Sequence, residues 1–106
     1  MKHGIGTAAM ILLAAAVGVS VGAQTDGSAV YKSKCQVCHG PDGTAATPIG
    51  QVMKIPSFRN QESVKSTDAA YSFIIRDGRG KMPAFREKLT PTQMKEVISY
   101  IRTMQK

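Results

Sequence analysis

Apolar and polar positions divide the chain into four stretches. Gly4 to Thr25 is uncharged and rich in Ala, Val, Ile and Leu, with Lys2 and His3 before it and Val21-Gly22-Ala23 near its end. A positive n-region, an apolar h-region and a small-residue terminus predict a secretory signal over residues 1–23, with the working domain over 24–106. The same run nearly reaches the roughly 20 residues of a spanning helix, so its retention as a membrane anchor is the competing expectation. After it, Thr25 or Asp26 can cap a helix with Val30, Lys34 and Val37 on one side. Ser66 or Thr67 can cap a second, Asp68 to Asp77, whose apolar side is Ala70, Phe73, Ile74 and Ile75, and Gly78 supplies its left-handed end.

The last stretch is the most regular. Thr90 serves as N-cap, Pro91 takes the first helical position, and Gln93 completes a capping box. Met94, Val97, Ile98, Ile101 and Met104 then recur at helical spacing and define one apolar face. Between these helices, Gly40-Pro41-Asp42-Gly43-Thr44 is turn chemistry, and Pro48 and Pro56 bracket at most one helical turn. No period-2 alternation of useful length occurs. The expectation is an all-α domain with long, ordered loops.

Size changes this picture. The 106-residue chain, less its first segment, is small for a self-sufficient core, and such domains need a staple or a cofactor. Export makes a disulfide the default for two cysteines. Here they are Cys35 and Cys38, and a bridge closing so small a loop would stabilise little. Charge narrows the partners: 14 Lys and Arg against 7 Asp and Glu give a net +7, one less once Lys2 leaves with the signal. A basic exported protein without a basic run or aromatic ladder fits acidic-faced protein partners and no nucleic acid.

The cysteines belong to Cys35-Gln36-Val37-Cys38-His39. Two thiols on one helical turn match the spacing of the two porphyrin vinyl groups, and the next residue is placed to ligate iron, so this motif predicts one covalently attached c-type haem held by two thioethers. A thioredoxin-like pair needs a βαβ setting, and a tetrahedral zinc site needs four ligands; the chain offers neither after His3 is lost. His39 therefore leaves the other iron face to a methionine. Met94 and Met104 lie on the helical stripe and suit core packing. Met53 is 14 residues past His39, whereas Met82 is 43 past it, in a Gly-rich segment and before a proline that holds its backbone extended. Met82 is the expected axial ligand and Met53 the alternative.

These residues, with Ile74-Ile75-Arg76-Asp77-Gly78-Arg79-Gly80-Lys81-Met82-Pro83-Ala84-Phe85 and Tyr100-Ile101-Arg102, resemble a short bacterial class I cytochrome c over nearly the whole of residues 24–106. The resemblance implies three to five helices wrapped around one haem, His/Met axial ligation by His39 and Met82, and a first helix crossing the last. Gly27 and Tyr31 would meet Ile98, Tyr100 and Ile101 at that crossing. It also implies that the second nitrogen of the ligating imidazole donates to a proline carbonyl, for which Pro48 is the match, although Thr47 stands where many members have Gly. With no Trp in the chain, Phe58 and Phe85 are the candidate apolar haem contacts.

The implied function is a monomeric single-electron carrier in the periplasm or otherwise outside the cytoplasm, not an enzyme, with Arg79, Lys81 and Arg86 steering its partners. Membrane association is expected only if the signal segment is kept. Two alternatives stay open from the sequence: a haem enzyme or small-ligand sensor with a labile methionine, and a dedicated subunit of a larger oxidoreductase.

Overall fold

The computed structural model describes Gly4, Gly6, Ala9, Met10, Ile11 and residues 26–106. The expected signal segment lies almost wholly, and its cleavage point entirely, outside the described residues. Among those residues the elements are α1 (Gly27–Lys34), α2 (Gln36–His39), α3 (Pro48–Val52), α4 (Gln61–Lys65), α5 (Asp68–Asp77) and α6 (Pro91–Met104). The one β pairing among them is an isolated bridge between Arg79 and Met82. The fold is thus all-α, with one helix more than the three to five expected. Cys35, at φ −118° and ψ −34°, separates α2 from α1. Asn60 starts the unexpected α4 by accepting a hydrogen bond from the Ser63 amide at 2.7 Å.

The caps of the longer helices are those the sequence predicts. Asp26 accepts from the Ser28 amide at 2.9 Å, Thr67 from Ala70 at 3.1 Å, and Thr90 from Gln93 at 3.1 Å. The Gln93 side chain returns a bond from the Thr90 amide at 2.8 Å, closing the capping box. Thr90→Ala removes one half of that exchange and is expected to cost about 1 kcal/mol, read as a lower denaturation midpoint at unchanged slope. An unmoved midpoint would show the box to be idle.

Two predicted faces shift. On α1 the buried residues are Gly27, Val30 and Tyr31, while Lys34 is exposed and Val37 is 61% exposed. The chain leaves the α1 register at Cys35, so Val37 belongs to a new turn with its own phase. On α5 the buried residues are Tyr71 and Ile75; Ala70 is exposed, Phe73 is 56% exposed and Ile74 is half-buried. Tyr71 wins the inner position because its hydroxyl finds an acceptor there, donating to the Ser63 carbonyl at 2.7 Å. Gly78 ends α5 at φ +76° as predicted, with ψ 170°.

The crossing of α1 and α6 organises the core. A Cβ at Gly27 would stand 2.2 Å from the Glu96 carbonyl oxygen and 3.2 Å from the Tyr100 Cβ, so the two backbones meet where only hydrogen fits. Beside it the Tyr31 and Tyr100 rings lie 5.3 Å apart at 55°. Tyr31 and Val97 are fully buried, and Val30, Ile75, Phe85, Leu89, Met94, Ile98 and Ile101 pack with them. Cys35 and Met82 pack against this same cluster from its margin, which brings the cysteine motif and the predicted ligand loop to one core.

Candidate cofactor site

The motif is built on a single turn. Cys35 closes α1 and opens α2, and its carbonyl accepts from the amides of Cys38 at 3.3 Å and His39 at 2.9 Å. The turn is anchored at both ends. The buried Tyr31 hydroxyl donates to the Gly40 carbonyl at 2.6 Å, tying the residue after His39 to the α1–α6 core. On the other side α3 presses its backbone onto the turn at Gly50, where a Cβ would stand 2.6 Å from the Cys38 carbonyl and 2.3 Å from that of Ala45. Neither Gly50 nor the Tyr31 hydroxyl figures in the sequence reading. A glycine inside a predicted helical turn is the signal that could have revealed the first.

Both cysteines are free and half-buried. Burial, and secondarily the neighbouring Cys38, push the Cys35 thiol up to about 11. Burial lowers the His39 pKa, which favours the neutral ring that a metal requires. The His39 Nδ1 is buried without any hydrogen-bond partner. The bond expected to the Pro48 carbonyl is therefore not made. Pro48 is the first residue of α3, where helical geometry aims its carbonyl along the helix. Instead, the Phe58 ring lies flat against the imidazole, 4.5 Å between centroids at 14°. Phe85 sits deeper, 7% exposed within the helical core, with its amide donating to the Ile75 carbonyl at 2.8 Å.

Of the four methionines in residues 26–106, Met94 is committed to the core and Met104 packs at its edge. Met53 ends α3 at 40% exposure. Met82 is half-buried and held on both sides, its amide donating to the Arg79 carbonyl at 2.9 Å and its carbonyl accepting from the Arg79 amide at 3.1 Å. The return of this loop is fastened to α5 by the Arg86 amide on the Arg76 carbonyl at 3.1 Å. Asp77 adds ion pairs to Arg76 and Arg86. The Arg76 guanidinium, and then that of Arg86, hold the Asp77 carboxyl down at about 2. Arg86 is thus engaged within the loop, while Arg79 and Lys81 are exposed and in no ion pair among the described residues.

These residues fit a covalently held haem. Two free thiols and an imidazole with an orphaned buried nitrogen share one turn. Val37, Ile49, Val52, Met53, Val64 and Phe73 are each exposed apolar side chains among the described residues. No group of three or more His, Cys, Asp or Glu side chains able to hold a metal ion exists among the described residues, which leaves a tetrahedral zinc centre without ligands. No helix among them is long and apolar enough to cross a membrane.

Residues 22–101 match the family described as cytochrome C oxidase, cbb3-type, subunit III. The chain is 29% identical over 75 residues to cytochrome c6 of Euglena viridis, covering 71% of this chain and 85% of that protein. It is 26% identical over 80 residues to cytochrome c6 of Picosynechococcus sp., covering 71% and 68%. Its fold superposes on the KustC0563 c-type cytochrome with a TM-score of 0.70 at 32% identity, over 76% of this chain and 99% of that one.

Proposed function

This chain belongs to the cytochrome c family, within the group described as cytochrome C oxidase, cbb3-type, subunit III, and on that premise we propose how it carries single electrons and where. It is a class I monohaem cytochrome c, and its haem is of the covalently bound c type. Cys35 and Cys38 would attach it, and His39 and Met82 would hold its iron. One observation carries this reading: two free thiols and a half-buried imidazole stand on the same turn.

Haem c held there supplies a one-electron iron couple reached from the porphyrin edge. The protein residues do the rest. Burial lowers the His39 pKa and so favours the neutral ring, whose Nε2 would present its lone pair. The Arg79–Met82 bridge and the Asp77–Arg86 pair hold the Met82 backbone without a helix beneath it. Were His39 and Met82 both to hold the iron, a substrate would find no open position on it, which would favour outer-sphere transfer over enzymatic chemistry. Acid extraction and a spectroscopic redox titration test this together. The haem is expected to stay with the chain and to titrate as a single one-electron step; haem released by acid, or a stepwise titration, would overturn it.

We propose further that residues 1–23 act as a cleaved export signal, leaving a domain from Gln24, and that the carrier works outside the cytoplasm as a monomer. Partners with acidic faces suit its net charge, +7 for the full chain and one less without Lys2. Because Arg86 is paired with Asp77, the steering charge falls to Arg79 and Lys81. Reversing both to Glu is expected to slow oxidation of the ferrous protein by ferricyanide, an anionic oxidant, about tenfold at low salt, with the difference fading as salt is added. Equal rates at low salt would remove these residues from the approach surface.

A further inference from the structure

Ligating histidines are ordinarily oriented by a hydrogen bond from the nitrogen that does not bind the metal. His39 has no such bond, for its Nδ1 is buried and unpartnered. What meets the ring instead is Phe58, parallel within 14° at 4.5 Å and 9% exposed. Rotation of the imidazole about its Cβ–Cγ bond would drive its edge into that flat face, so the stack restrains ring orientation as a hydrogen bond otherwise would.

Phe58 is itself fixed from several directions. Its amide donates to the Gly43 carbonyl at 2.8 Å, and its carbonyl accepts from the Gln105 amide nitrogen Nε2 at 2.9 Å. The same Nε2 donates to the Tyr71 hydroxyl at 2.9 Å, and the Tyr71 ring closes on Phe58 at 6.2 Å and 61°. Arg102 covers the Tyr71 ring at 4.5 Å and bonds to Asp68 at 3.0 Å. A continuous set of contacts thus runs from the buried imidazole to the end of α6.

We propose that Phe58 is a positioning residue for His39, setting the plane of the axial imidazole by ring stacking, and that Gln105 holds Phe58 in place for this task. The inference rests on His39 being the haem ligand. Its test is the proton NMR spectrum of the ferric holoprotein, in which the pattern of haem methyl shifts reports the orientation of the axial ligand planes. Phe58→Leu keeps apolar bulk but loses the flat face, and is expected to redistribute the methyl shifts and move the reduction potential. Gln105→Ala should shift the pattern in the same direction and by less. Val97→Ala, as a core lesion that weakens the fold elsewhere, should leave it unchanged.

An unchanged pattern in Phe58→Leu overturns the proposal, as does a Val97→Ala change of equal size. Should Phe58→Leu fail to fold, Gln105→Ala decides alone, and an unmoved pattern there overturns it too. Absence of attached haem from the unaltered chain would instead overturn the carrier reading, so the two failures are distinguishable.

Discussion

In Met82→Ala the ferric sulfur-to-iron absorption band is expected to vanish while the haem stays covalently attached, and the reduction potential to fall. Attachment depends on Cys35 and Cys38, which this change does not touch. Axial ligands set haem potentials across a range of about 0.8 V, and a thioether sits at the side favouring ferrous iron. Its loss should cost on the order of 0.1 V and allow cyanide to bind the ferric protein without displacing a side chain. The structure makes the alternative specific: Met94 is locked in the core, so a band that survives would place the sulfur at Met53, which ends α3 at 40% exposure.

Gly27→Ala is the larger lesion to the fold, and its sign is informative. In an exposed helix the exchange would stabilise by about 1 kcal/mol, because Ala loses less backbone freedom than Gly. At the α1–α6 crossing the new methyl would stand 2.2 Å from the Glu96 carbonyl oxygen, an overlap that requires the backbones to separate. Overpacking costs about 1–3 kcal/mol and occasionally more, and here the obstacle is main chain that cannot rotate aside. A net loss of about 2 kcal/mol is expected, with a fall in Tm of roughly 10 °C for a domain this small. A variant that gained stability would show that the helices do not touch at Gly27.

What could be read from the sequence follows from how local each determinant is. The caps at Asp26, Thr67 and Thr90 depend on residues two or three apart, and the structure shows all of them. The α6 stripe was legible because five apolar residues repeat on one face without competition. The α5 face was not, since Ala70 and Phe73 look as apolar as Tyr71, and only the distant Ser63 carbonyl makes Tyr71 the inner residue. Likewise the cysteine motif announces its chemistry by spacing alone. What surrounds it is long-range: the Phe58 stack on His39, the Gln105 support, the Tyr31 hydroxyl on Gly40 and the absent Pro48 bond each depend on where separate segments come to lie.

The contact of Gly27 with Glu96 also orders events in time. It joins segments separated by most of the domain, so the core cannot close until α6 has been made and brought back against α1. Until then the cysteine turn has no α1–α6 packing behind it. Afterwards Cys35 is half-buried and its thiol is pushed up to about 11, leaving little thiolate to react. Late arrival of the last helix therefore leaves the cysteine turn uncovered until the fold closes over it.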